Sequence, residues 1–175
     1  MTQRILAAID GSDLSWRALD VAVELAAALG AELVIFHAHL HGRPVEELFR
    51  MAEVEHLVPS VAGSALPHMG RVPGTMEELL KATRSQSERH DVITQMADLM
   101  MAQAVEKAKA GGVDAPRTRF GSGDHADAIL EAAEDEDADM IVMGTRGLGL
   151  LSGVLLGSVS QKVLHHAPCT VVTAR

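Results

Sequence analysis

The sequence predicts an α/β protein: a doubly wound sheet of five strands, mostly parallel, with helices on both faces. Three observations carry this. Short apolar runs (Arg4 to Ile9, Leu33 to Phe36, Met140 to Met143) alternate with segments of helical spacing. Strands that alternate with helices imply right-handed crossovers and a sheet covered on both sides. Glycine-bearing turns stand at the strand mouths, Asp10-Gly11-Ser12 after the first run and Gly144-Thr145-Arg146-Gly147 after Met143.

The elements follow in order. Arg4 to Ile9 is the first strand, ending at Asp10. Ser12 or Asp13 can cap the next helix, in which Ala18, Ala22, Leu25, Ala26 and Leu29 recur at helical spacing. Gly30 suits its C-terminal cap. Glu32 to Ala38 is the second strand. From Leu40 to about Ser87 periodicity is poor, and Pro44, Pro59, Pro67 and Pro73 punctuate the chain. Short helical pieces fit Val45 to His56 and Met76 to Thr83. An insertion of this length, about 40–87, predicts a lid, an interface element or a mobile segment within a single domain spanning 1–175.

Glu88 to Lys109 reads as a long helix with Ile93, Met96, Leu99, Met100 and Gln103 on one face, stopped by Gly111-Gly112. Thr118 to Gly121 is the third strand, and Asp124 caps a helix from about Ala126 to Asp135 that buries Ile129, Leu130 and Ala133. Met140 to Met143 is the fourth strand, Ser158 to about His166 the last helix, and Thr170 to Thr173 the fifth strand. Ala167-Pro168 cannot continue that helix.

Composition limits the function classes. The net charge of −9 argues against a non-specific nucleic-acid or anionic-membrane surface, since both need basic patches. Aromatics are 2% of residues, so the core must come from Ala, Val, Leu, Ile and nine Met. The single cysteine, Cys169, excludes an internal disulfide and reads as a small buried hydrophobe. No apolar stretch is long enough to span a bilayer and the N-terminus has no signal-peptide layout, so the expected location is cytoplasmic.

In folds of this class ligands bind beyond the carboxyl ends of the strands, so Asp10 and Gly144 can converge on one cleft. Glycine at a strand mouth lets backbone N–H groups approach a ligand closely. Gly157 followed by the Ser158 hydroxyl at the start of a helix adds aligned N–H groups and the positive end of the helix dipole, a surface that suits phosphate.

Taken together, Asp10-Gly11-Ser12, His37-Ala38 and Gly144-x2-Gly147-x9-Gly157-Ser158 resemble the universal stress protein family, and more specifically its ATP-binding branch. The resemblance covers roughly residues 3–40 and 115–175. It implies strand order 3-2-1-4-5 and a nucleotide in the cleft above strands one and four. By position, it implies that Asp10 contacts the ribose, Ala8 and Ile9 line the floor, and Ala38 meets the adenine through its main chain. It places Met143 in the binding set and Gly144 against the ribose. Arg146, Gly147, Gly157, Ser158 and Val159 surround the phosphates, with a further hydroxyl from Ser160. The implied ligand is ATP, or ADP or AMP, with Mg²⁺ held through the phosphates.

The chemistry of these roles is coherent. A carboxylate accepts hydrogen bonds from two sugar hydroxyls and sits badly beside phosphate, so Asp10 should be remote from Gly157. No GxxxxGK[ST] loop exists and no acidic residue is obviously placed to activate water, so efficient hydrolysis is not expected. Two other readings stay open: an interaction protein that works with an empty cleft, and a weak ATPase. His37, His39 and His41 alternate, so on a strand they share a face that imidazole-binding metals would suit, but nothing supplies a closing ligand set. Met96, Met100 and Met101 read as core or subunit interface. Relatives pair the fifth strand, which predicts a homodimer through Thr170 to Thr173. A second contact from the long middle would give a tetramer. The downstream protein partner is not legible.

Overall fold

The structure is a computed structural model that describes residues 3–38, 75–146 and 156–175. Five strands form one parallel sheet: β1 (Arg4–Ala8), β2 (Glu32–Ala38), β3 (Arg117–Gly121), β4 (Met140–Gly144) and β5 (Thr170–Ala174). Their order is β3-β2-β1-β4-β5. Among the described residues five helices flank them: α1 (Asp13–Leu29), α2 (Met76–Ala82), α3 (Gln86–Ala110), α4 (His125–Asp135) and α5 (Ser158–His166). The expected doubly wound topology is the one observed.

Side-chain alternation splits the sheet into two cores. Ile5, Ala7 and Ile9, with Leu33, Ile35 and Val142, face α1, α2 and α3. Leu6 and Ala8, with Val34, Phe36, Ala38, Ile141 and Met143, face α4 and α5. The central strands are buried on both faces, which is why they read as unbroken apolar runs. The edge strands are half-exposed and read faintly.

The helix boundaries follow local chemistry. Ser12 caps α1 by accepting the Ser15 N–H at 3.3 Å, and Gly30 ends it with φ +62°. Ser85 caps α3 through Glu88 N–H at 3.1 Å, so the helix begins at Gln86, two residues earlier than the sequence suggests. Asp124 caps α4 by accepting from Ala126 and Asp127. The buried face of α3 is a correction. Val92, Met96, Ala97, Met100, Met101, Ala104 and Ala108 are buried, while Ile93, Leu99 and Gln103 are only partly covered. Alanines let this helix lie close to its neighbours, so its inner face is smaller in side-chain volume than the larger residues suggest. The three methionines are core, as one of the two readings held. Likewise Leu130 is partly buried on α4, whose deepest residues are Ala132, Ala133 and Ala126.

Of the expected 40–87 insertion, residues 40–74 fall outside the described part, including the helix expected at Val45 to His56. Its remainder forms α2, where Leu79 is fully buried, and the start of α3.

Ion pairs secure the amino edge of the sheet. Arg4 pairs with Glu32 at 2.9 Å, and Arg117 and Arg119 reach Glu136 at 2.7 and 3.2 Å. Arg119 also pairs with Asp135. Partial desolvation pushes the Glu136 carboxyl up, but the hydrogen bonds from Arg117 and Arg119 outweigh it and hold the group below its ordinary value. A depressed folded value stabilises above the ordinary glutamate value, and that stability is lost as pH falls through the folded value. Glu136→Gln should therefore lower the melting temperature at neutral pH, by about 2–4 °C per kcal/mol lost. The gap to the unmodified protein should close on acidification; a constant gap in melts across that range would refute the pairing.

Candidate nucleotide cleft at the carboxyl edge

The opposite edge carries the candidate site. β1 and β4 are neighbours, with Ala8 opposite Met143, so Asp10 and Gly144 leave the sheet side by side. Gly11 adopts φ +85°, a left-handed conformation that favours glycine, and turns the chain sharply into α1. Asp10 Oδ1 accepts from the Ser12 N–H at 3.0 Å and from Ser12 Oγ at 2.6 Å. This Asx turn fixes the carboxylate at the mouth of β1.

Gly144 lies against the first turn of α1. A Cβ there would stand 3.1 Å from the carbonyl carbon and the Cβ of Leu14, and 3.0 Å from the Arg146 carbonyl oxygen. Its glycine is thus needed for a close internal pass, whatever ligand lies nearby. The Thr145 N–H donates to Ala174 O at 2.8 Å, extending the ladder, and the Gly157 N–H donates to Thr145 O at 2.8 Å. Leu14 meets Gly144 and Thr145 holds Gly157, so the Asp10 turn and the start of α5 share one edge of the sheet.

Ser160 has an internal partner: its buried hydroxyl donates to the Gly144 carbonyl at 3.0 Å and pins α5 to β4. Ser158 is exposed and Val159 is partly buried against the α4 core. Gly147 lies outside the described residues. Ala8, Ala38 and Met143 share the α4 face of the sheet at its carboxyl end, and Ile9 points to the other face. These small or flexible side chains leave the strand ends low.

Gly157 differs from Gly144. Its φ is −73°, open to any residue, and a Cβ would find its nearest neighbour, Arg146 Cα, at 3.5 Å, ordinary contact. It is also the N-cap of α5, where it provides no side chain to receive the first-turn N–H groups. Arg146 runs alongside, with its Cγ 3.9 Å from that Cβ position, and makes no ion pair among the described residues. The stem of an arginine thus lies beside the positive end of a helix.

Two residues within the motifs, Thr145 and His37, have surroundings that the sequence did not specify. Thr145 is 5% exposed and its hydroxyl has no hydrogen-bond partner among the described residues, at the root of the glycine segment. His37 is buried, with Nδ1 2.9 Å from Ile9 O. In sequence it alternates with His39 and His41. Those two residues lie outside the described part, and the described residues hold no cluster of three or more metal-ligating side chains. The Cys169 thiol is half-buried, and desolvation, aided by the Asp139 charge, pushes its pKa up. No described helix is long and apolar enough to cross a membrane.

The fold is a doubly wound α/β sheet in which the ends of β1 and β4 stand beside the N-terminus of α5. The model of the universal stress protein family matches residues 1–59 and 45–175, and the chain belongs to that family. It is 35% identical to the universal stress protein in QAH/OAS sulfhydrylase 3′region of Thermus aquaticus, over 100% of both chains. It is similar in fold to a universal stress protein crystallised in complex with cAMP (TM-score 0.58, 24% identity, 99% of this chain and 96% of that one). A second similar fold is the universal stress protein of Archaeoglobus fulgidus in complex with dAMP (TM-score 0.57, 18% identity, 100% and 98%).

Proposed function

We propose that this protein binds an adenine nucleotide, foremost ATP with Mg²⁺ carried on its phosphates, and that occupancy acts as a conformational or assembly signal in a cytoplasmic stress response. The observation that carries the reading is Gly157. Neither its backbone angles nor crowding by the described residues requires glycine, and serine, asparagine or aspartate would cap the helix slightly better. A ligand phosphate against that bare terminus explains the missing side chain.

In this reading Asp10 accepts the ribose hydroxyls, and Ala8 and Ile9 form the floor with Met143. Ala38 presents main chain to the adenine edge, and Gly144 permits the ribose to approach. Arg146, Gly147, Ser158 and Val159 neutralise or donate to the phosphates. The cAMP and dAMP complexes of similar folds support the adenine class. The residues fit a phosphate-borne Mg²⁺ that needs no protein ligand, and no described group is placed to activate water, so turnover would be slow.

The exposed side of β5 is an open sheet edge, which invites pairing of Thr170–Thr173 with a second copy. A ligand shifts assembly only if it binds the two states unequally. Titration with Mg-ATP in a calorimeter, paired with light scattering of empty and loaded protein, tests the proposal. Saturable heat and a dimeric mass are expected. No heat would favour an interaction protein with an empty cleft, and a monomeric mass in both states would remove the β5 contact.

A further inference from the structure

We infer that His37 is a positioning residue for ribose recognition, acting through Asp10; the inference rests on the nucleotide reading above. The imidazole is buried at the carboxyl end of β2, and its Nδ1 lies 2.9 Å from the carbonyl oxygen of Ile9. A carbonyl only accepts, so the proton sits on Nδ1 and the ring is held in that tautomer. The Ile9 N–H donates to Phe36 O at 2.9 Å. Ile9 is therefore gripped from both its polar groups by consecutive residues of β2. The Phe120 and His37 rings form a T-shaped pair, centroids 6.4 Å apart and planes at 86°.

The bond falls at a particular place. The Ile9 carbonyl belongs to the peptide that joins Ile9 to Asp10, so fixing its oxygen fixes the plane from which the Asp10 carboxylate departs. β1 has ended at Ala8, so the strand ladder no longer holds this peptide on its carbonyl side. Ser12 anchors Asp10 Oδ1 from the other direction. His37 is also bonded to Ala38, the expected adenine contact. One side chain thus ties the residue that would hold the sugar to the residue that would meet the base.

Metal binding is not needed to explain this histidine. A buried residue that only filled space would be met equally well by leucine. The Nδ1–H bond supplies a direction as well as volume, and direction is what a carboxylate aimed at two hydroxyls requires.

The test compares ATP with its dideoxy counterpart, which lacks both ribose hydroxyls, by calorimetry on the full chain. The unmodified protein should prefer ATP. Asparagine places an amide N–H near the position of imidazole Nδ1, so His37→Asn should keep that preference. His37→Gln and His37→Leu misplace or remove the donor, and should lose about tenfold in ATP affinity with little change for the dideoxy nucleotide. In an Asp10→Ala background the same changes should have no further effect on the preference. Equal losses for both nucleotides would reduce His37 to a packing residue and overturn the inference. A preference retained by both His37→Gln and His37→Leu would overturn it as well, with the nucleotide reading left standing. If the unmodified protein bound neither nucleotide, the nucleotide reading itself would fall, and this inference with it.

Discussion

Gly157→Ser should make the protein slightly more stable and a markedly poorer ligand for ATP. Serine at an N-cap accepts a first-turn N–H, worth a few tenths of a kcal/mol over glycine. The position offers no steric objection, since its φ is −73° and the nearest atom to a Cβ stands at 3.5 Å. In the nucleotide reading, however, the new side chain occupies the path of a phosphate and bonds the N–H groups it would use. At least about a tenfold loss of affinity is expected, the worth of one or two charge-assisted hydrogen bonds. Stability and binding moving in opposite directions is the signature of a residue kept for function at some cost to the fold. Gly144→Ala is the control. Its Cβ would meet the backbone of Leu14 and Arg146 at 3.0–3.1 Å, so about 1–3 kcal/mol of stability should be lost through overpacking. Chemical denaturation and calorimetric titration of both variants separate the two glycines. Equal destabilisation by both, or unchanged ATP affinity in Gly157→Ser, would remove the central support for the site.

These two glycines also mark what the sequence could reveal. The motif spacing carried both to the carboxyl edge, because strand order and chain direction determine where strand ends lie. It could not distinguish their reasons, since a glycine required by Leu14 and one required by a ligand look alike in one dimension. The same limit hid the internal partner of Ser160. Two residues past Ser158 it reads as another phosphate hydroxyl, and on the first turn of α5 that hydroxyl donates to the Gly144 carbonyl. His37 was visible as a histidine at a strand end, but its bond to Ile9 depends on the register of β1 against β2. Elements were most legible where burial was complete, as in β1, β2 and β4, or where caps such as Ser12 and Gly30 stood in place. They were least legible in β3, where Arg117, Thr118 and Phe120 are exposed and alternation is lost. The rotated face of α3 has a related cause. Periodicity weights large residues, while that helix packs through Ala97, Ala104 and Ala108.

Phe36 and Gly121 should behave as one unit. Phe36, 1% exposed, faces α4 from β2, directly opposite Arg119 on β3, and Gly121 is the next residue of β3 on the same face. A Cβ on Gly121 would stand 2.6 and 2.8 Å from Phe36 Cζ and Cε2, and 3.2 Å from Ala128 Cβ. The ring therefore fills the space that the glycine leaves, which compensates for the weak side-chain patterning of an edge strand. Phe36→Ala should cost about 3–5 kcal/mol, a transfer loss plus a cavity beneath α4. Gly121→Ala should cost about 1–3 kcal/mol by forcing the ring aside. Leucine at 36 lacks the two clashing ring atoms, so Phe36→Leu combined with Gly121→Ala should be more stable than additivity allows, by about 1–2 kcal/mol. Denaturant melts of the four proteins give the cycle, and strict additivity would show that the ring does not need the glycine. The pair also bears on the cleft. Phe36 accepts the Ile9 N–H through its carbonyl and immediately precedes His37 and Ala38. A displaced ring moves the strand end from which the proposed base contact and the Ile9 anchor beside Asp10 depart. Gly121→Ala should consequently weaken nucleotide binding without touching any residue assigned to the nucleotide, and the leucine partner should restore it.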